Sequence, residues 1–169
     1  MSHTIHHLTR DDLQMMQPLC EMFGVAFNDF DTYTGKPPDA AYLRRLLGSE
    51  TFIAMAALKD DVVVGGIAAY ELRKFEQVRS EIYLYDLAVL EAHRRKGIAT
   101  SLIEALKRVA AARGAYVIFV QADTAAEDGP AIALYTRLGM REEVLHFDIA
   151  VDAPDTSSPG LDDEMSTPG

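Results

Sequence analysis

Apolar positions along the chain repeat in two ways, at every second residue or at every third and fourth, and the alternation between these repeats marks the elements. Ile5 to Leu8 reads as a short strand, and Thr9-Arg10-Asp11-Asp12 carries the Thr-x-x-acid spacing that caps a helix start. Leu13, Met16, Cys20, Phe23 and Phe27 then follow at helical spacing, with Pro18 inside the run, which predicts a kink or break there. Asn28 to Lys36 reads as a loop, and Pro37-Pro38-Asp39 opens a second helix reaching about Leu47. Thr51 to Leu58 and Val62 to Leu72 are β-rich runs joined by Lys59-Asp60-Asp61, a hairpin length, and Glu81 to Val89 extends the antiparallel sheet.

A long helix from about Gly97 to Arg113 places Ile98, Leu102, Ile103, Leu106, Val109 and Ala110 on one face and ends at Gly114. Tyr116 to Gln121 reads as a compact strand of buried type. Pro130 starts a helix through Leu138, Gly139 caps it, and Met140 to Ile149 returns as a strand. The predicted order is strand, two helices, three strands, helix, strand, helix, strand, with no internal repeat.

Length and composition fit one globular domain with a substantial core: 169 residues, 49% hydrophobic and 25% charged. The net charge of −10 is unevenly placed. Val151 to Gly169 holds Asp152, Asp155, Asp162, Asp163 and Glu164, no base, and Pro154, Pro159 and Pro168. Residues 151–169 are therefore expected to form an acidic, disordered tail, and 1–150 the folded domain. A mildly acidic body argues against nucleic acid as a partner and suits a cationic ligand better. No 18-residue apolar run exists, and the first residues lack the plan of a signal peptide, so the expected location is the cytoplasm, without a membrane. Cys20 is the only cysteine. It allows no internal disulfide, and its place on an apolar stripe favours a core role over a reactive thiol.

The chemistry concentrates at Arg94-Arg95-Lys96-Gly97-Ile98-Ala99, a basic turn between a Tyr/Val-rich run and the long helix. Unpaired N–H groups and the positive dipole end of a helix offer a phosphate site there. Taken alone, Arg94-Arg95-Lys96 also reads as a solvated helix entrance.

With that turn at the fourth strand-to-helix junction, the chain resembles the Gcn5-related N-acetyltransferase superfamily. Two motifs carry the resemblance: Arg94-x-x-Gly97-x-Ala99, similar to the family's pyrophosphate loop, and Ala131-x-x-Leu134-Tyr135-x-x-Leu138-Gly139-Met140, similar to the segment whose tyrosine approaches the coenzyme sulfur. Phe75-Glu76-Gln77, Arg79 to Tyr83, Tyr85 to Val89, Gly114 to Val117, Val120 to Asp123 and Arg141 to Ile149 resemble the aminoglycoside 3-N-acetyltransferase type I branch. Similarity covers roughly residues 5 to 149 and departs at Pro18, in Thr124 to Gly129 and in the acidic tail.

The resemblance implies an α/β, single-domain acetyltransferase fold, with a mixed, mostly antiparallel sheet splayed between its fourth and fifth strands and flanked by helices. It implies acetyl-coenzyme A as co-substrate, held by Leu87, Ala88 and Val89 on the splayed strand and by Arg94, Arg95, Lys96, Gly97, Ile98, Ala99 and Thr100 in the turn, with Tyr135 near the sulfur. The activity it implies is acetyl transfer to the 3-amino group of an aminoglycoside, giving antibiotic resistance. The alternatives are a polyamine or protein-lysine acetyltransferase and a noncatalytic acyl-coenzyme A sensor.

In this reading Tyr135 is the acid that serves the departing sulfur. Asp86 is the first candidate for the base and Glu81 the second. Simple strand alternation puts Asp86 on the face opposite Tyr83 and Tyr85 unless a bulge resets parity, and a buried structural pair is the other reading of Asp86. Acceptor contacts are expected from Asp31, Tyr33, Glu81, Tyr83, Asp123, Glu142 and Asp148, several of them acidic as a polyamine sugar requires. His146 reads as a hydrogen-bonded structural histidine before it reads as a base. His3, His6 and His7 lack acidic partners at ligand spacing, so no metal is expected. A homodimer is the implied assembly.

Overall fold

The structure, a computed structural model, describes residues Ser2 to Asp152. The predicted tail from 153 onward lies outside the described residues. The chain forms two compact units, one ending at Asp123 and the other beginning at Thr124.

The first unit carries a five-stranded sheet in the order β1 (Thr4–His7), β2 (Phe52–Lys59), β3 (Val62–Arg73), β4 (Ser80–Val89), β5 (Ala115–Val120). The first three pairings are antiparallel and β4 to β5 is parallel. A parallel neighbour needs a crossover, and helix α4 (Ile98–Arg113) supplies it. Asp60 and Asp61 make the β2–β3 turn with φ of 51° and 61°, the left-handed pair that matches a tight hairpin to the strand twist.

The capping box at Thr9 forms: its backbone N–H donates to Asp12 Oδ2 at 2.7 Å, and its hydroxyl accepts from Asp11 N–H. The helical run breaks, though not at Pro18. A 3-10 stretch, Arg10–Met15, gives way to α1 (Met16–Phe27), so Pro18 sits in the first turn, where a missing N–H breaks no helical bond. The expected Asn28–Lys36 loop contains a one-turn helix, α2 (Phe30–Thr34), capped by Asp29. One turn is too short to show a period. Asp39 caps α3 (Ala40–Leu47) through Tyr42 N–H at 2.7 Å.

Leu19, Met22 and Phe23 of α1 pack with Phe52, Ala54, Ala56 and Ala88 on one side of the sheet. Gly66 lets α1 come this close, since a Cβ there would lie 2.9 Å from Met55 O and would strike the Leu19 methyl. The next strand position on the other face, Gly65, meets Val89 and Ile98 at the start of α4. Along α4, Leu102, Ile103, Leu106 and Ala110 are buried, as the stripe predicts, and a fully buried Leu or Ile contributes about 1.5–3 kcal/mol. β5 differs from expectation: Tyr116 and Val117 are exposed, so the strand is not of the buried type.

The second unit holds α5 (Gly129–Leu138), with Pro130 in its first turn, as read from the sequence. The strand predicted over Met140 to Ile149 does not form. A strand needs a ladder partner and a buried face, whereas Leu145, Phe147 and Ile149 are 84%, 77% and 88% exposed.

Candidate active site

The pairing of β3 with β4 slips by one residue. Ala68 faces Asp86 and Ala69 faces Leu84, which leaves Tyr85 as the extra residue of a bulge. Before it, Ile82 and Leu84 are buried while Tyr83 and Tyr85 are on the other face; after it, Ala88 joins the α1 cluster. The bulge therefore resets strand parity, and Tyr85 and Asp86 line the same cavity. Simple alternation does not hold across this point of β4.

Beyond the bulge β4 also leaves β5. Their ladder ends at Leu84–Val120, while β4 stays paired with β3 to Val89. Residues 85–89 thus present an edge without a strand partner among the described residues, at the place where Leu87, Ala88 and Val89 were expected to hold pantetheine. The Ala88 and Val89 side chains are buried in the core, so the backbone is what this edge can offer a ligand.

A cavity of about 140 Å³ lies over the bulge, lined by Leu19, Cys20 and Phe23 of α1, Tyr33 of α2, Tyr70 of β3, and Tyr85 and Asp86. Tyr33 Oη donates to Asp86 Oδ2 at 3.0 Å. Burial pushes the Asp86 carboxyl above the ordinary aspartate value, and the Tyr33 hydrogen bond partly offsets this. Burial first, and then the Asp86 charge, holds the Tyr33 hydroxyl protonated well above the usual tyrosine range. The half-buried Cys20 thiol is likewise pushed up by burial, which makes it a poor nucleophile. Phe52, Tyr70, Tyr85, Tyr83 and Phe119 form a row of successive ring contacts across four strands, at centroid distances of 4.8 to 5.7 Å. Aromatic faces beside a carboxylate suit a cationic amine. Sequence reasoning misses Tyr70 and Tyr85, because only the bulge brings them beside Asp86.

The basic turn has a backbone shape that can receive an anion. Arg95 has φ 59° and Gly97 φ 78°, two left-handed residues flanking Lys96, and no side chain caps the N-terminus of α4. Successive N–H groups in such a turn form a concave anion site. A Cβ on Gly97 would meet nothing within 4 Å, so backbone conformation, not crowding, calls for glycine. Arg94 Nε donates to Val89 O at 3.0 Å and ties the turn to the end of β4, and Lys96 Nζ donates to Ala92 O at 2.7 Å. The Arg95 side chain points to no partner among the described residues and is exposed. Ile98 is buried and anchors the helix, while Ala99 and Thr100 are half-buried. The donors such a turn can present to a pyrophosphate are mainly backbone N–H groups.

The other expected residues are dispersed. Glu81, at the far end of β4, accepts from the Tyr116 hydroxyl and lies 3.4 Å from Lys74 Nζ. The Tyr116 bond, more than any charge, lowers its pKa. Tyr83 Oη donates to Gln121 Oε1 at 2.6 Å, one strand away. Asp31 is exposed on α2, and Asp123 is exposed just after β5. In the second unit Tyr135 is half-buried on α5, Glu142 is exposed, and Asp148 lies 2.9 Å from His146 Nε2. His3 Nε2 bonds Ser101 Oγ at 2.9 Å, and His6 lies 2.9 Å from Asp12.

No helix of the described residues is long and apolar enough to cross a membrane. A comparison with curated proteins finds no match. Among solved structures, the aminoglycoside acetyltransferase HMB0005 from an uncultured soil metagenomic sample is 66% identical, with 90% of this chain and 100% of that chain covered and a TM-score of 0.89. The aminoglycoside acetyltransferase meta-AAC0020, also from an uncultured soil metagenomic sample and solved with sisomicin, is 29% identical over 89% of this chain and 97% of its own, with a TM-score of 0.77. Residues 16–140 match the acetyltransferase (GNAT) family. With the splayed β4, the bulge and the glycine turn in place over that same stretch, the chain belongs to the GNAT family of acetyltransferases.

Proposed function

We propose that the protein transfers the acetyl group of acetyl-coenzyme A to the 3-amino group of an aminoglycoside antibiotic, by direct attack of the amine. The observation that carries this reading is the bulge at Tyr85, which sets an aspartate in an aromatic cavity on the strand that also opens toward the phosphate cradle. The likeness to two aminoglycoside acetyltransferases supports the acceptor class, and the type I branch motifs support the 3-amino position.

In the reaction the amine nitrogen bonds to the thioester carbonyl carbon, the carbon–sulfur bond breaks, and coenzyme A leaves. An ammonium is not nucleophilic, so its proton must go first, to Asp86 or to a water held by it. Raised by burial, Asp86 accepts a proton more readily than an exposed aspartate. Glu81, stabilised as a carboxylate by Tyr116, is the weaker base and the better cation contact. Tyr135 serves as the acid for the sulfur, a role supported by its motif. The turn from Arg94 to Thr100 binds the pyrophosphate, and backbone groups of Leu87, Ala88 and Val89 bind pantetheine.

The acceptor is a polycation, which Asp31, Tyr33, Glu81, Tyr83, Asp123, Glu142 and Asp148 would receive. Acetylation removes one ammonium from the drug and with it one charge-assisted contact to ribosomal RNA, hence resistance. Working on such a drug, the enzyme would act in the cytoplasm, as a monomer or homodimer, and without a metal. Coenzyme A release measured with gentamicin-like, kanamycin-like, polyamine and lysine-peptide amines tests the reading. Turnover is expected with the aminoglycosides; turnover confined to polyamines or peptides, or coenzyme binding without turnover, would overturn it.

A further inference from the structure

Tyr33 was expected among the acceptor contacts, yet its hydroxyl is directed at Asp86 Oδ2, 3.0 Å away, the one hydrogen bond to that carboxylate among the described residues. The ring is held on the side away from the sheet. It stacks on Phe23 at 5.5 Å and contacts Phe27 at 5.7 Å, and those two rings stack on each other at 5.8 Å with planes 3° apart. The helix that carries it is seated as firmly: a Cβ on Gly24 of α1 would come within 3.2 Å of the Phe30 ring at the start of α2. Asn28, at φ 52°, ends α1 in the left-handed conformation, and Asp29 caps α2. The backbone reversal between the two helices thus aims one phenol at one carboxylate across 53 residues of sequence.

We infer that Tyr33 is a positioning residue for Asp86: its hydroxyl occupies Oδ2 and fixes the carboxylate plane, leaving Oδ1 as the oxygen that meets the acceptor amine. The inference deepens the proposed acetyl transfer and rests on that reading for its consequence in catalysis. It does not rest on it for its physical content. The titratable groups facing Asp86 are Cys20 from α1, Tyr33 from α2, Tyr70 from β3, and Tyr83 and Tyr85 from β4; the rest of the wall is apolar. Among them the Tyr33 phenol is the group that hydrogen-bonds the carboxylate, and its bond is what counters the effect of burial. A phenol that donates to a carboxylate favours the ionised form, and burial disfavours it. Tyr33 therefore opposes part of the upward push that burial gives the Asp86 carboxyl.

The test follows the side-chain carboxyl of Asp86 by ¹³C NMR during a pH titration of the full chain, with Asp86→Asn identifying the resonance. In Tyr33→Phe the ring contacts remain and the donor is gone, and Asp86 is expected to titrate about one pH unit higher than in the parent. With 3-fluorotyrosine in place of Tyr33, a more acidic donor, it is expected to titrate lower. A ring that serves only as packing would move neither, and an unchanged midpoint in both proteins overturns the inference. The titration requires no turnover, so it remains decisive if the acetyl-transfer reading fails. Should Tyr33→Phe not fold, the fluorinated protein alone decides the matter through the sign of its shift.

Discussion

Replacing Gly97 by alanine isolates the contribution of the phosphate turn. The added methyl has no atom within 4 Å, so packing is untouched, and the cost is confined to holding an L-residue at φ 78°. That cost is about 1–2 kcal/mol. It can emerge in two places. If the turn keeps its shape in the free protein, stability falls by the full amount, roughly 2–8 °C in Tm for a chain of this size, and coenzyme A affinity is unchanged. If the free turn relaxes, part of the cost leaves stability and reappears as weaker coenzyme A binding, up to about tenfold for each 1.4 kcal/mol. The sum is conserved as long as the bound turn is left-handed. Calorimetric titration with coenzyme A and thermal unfolding of the same two proteins measure both parts. A sum near zero would refute the claim that the ligand is held by a left-handed backbone cradle.

Other residues give independent expectations. Asp86→Asn should lower the chemical rate by about 10²-fold or more, as expected for loss of a general base, and should also stabilise the fold at neutral pH. The sign follows from its raised pKa: the protonated native form is favoured, so stability is present below the unfolded value and is lost as pH rises through the folded one. A parent protein whose unfolding midpoint exceeds that of Asp86→Asn at pH 7 would contradict this. Arg113→Ala leaves the buried Glu71 carboxylate without its 2.9 Å partner and strands the Glu50 carbonyl, and should cost about 3 kcal/mol in denaturant unfolding; Glu71→Gln on top should recover part of it. Tyr135→Phe should leave unfolding unchanged and reduce single-turnover acetyl transfer by about 10²-fold; equal rates would remove the acid role.

Elements with a long period were legible from residue order alone. The α4 stripe from Ile98 to Ala110, the Thr9 cap and the β2–β3 hairpin form close to where they were read. What escaped depends on partners distant in sequence. Tyr85 becomes a bulge only because Ala68 and Ala69 of β3 pair on either side of it, and no local pattern in Tyr83-Leu84-Tyr85-Asp86 announces that. Arg94 and Tyr33 make further bonds that residue order does not announce. Arg94, expected in the phosphate turn, also donates its Nε to Val89 O, and Tyr33, expected among the acceptor contacts, also donates its hydroxyl to Asp86. Residues 140–149 show the converse case. Their alternation is strand-like, yet alternation without a ladder partner does not make a strand.

The central claim is that one amine of one class of acceptor receives the acetyl group. Incubating the protein with ¹³C-acetyl-coenzyme A and a gentamicin-like aminoglycoside, and locating the label by heteronuclear NMR, tests it directly. The account predicts a single product acetylated at the 3-amino nitrogen of the deoxystreptamine ring. Label on another amine, a mixture of positions, or no labelled drug would contradict it.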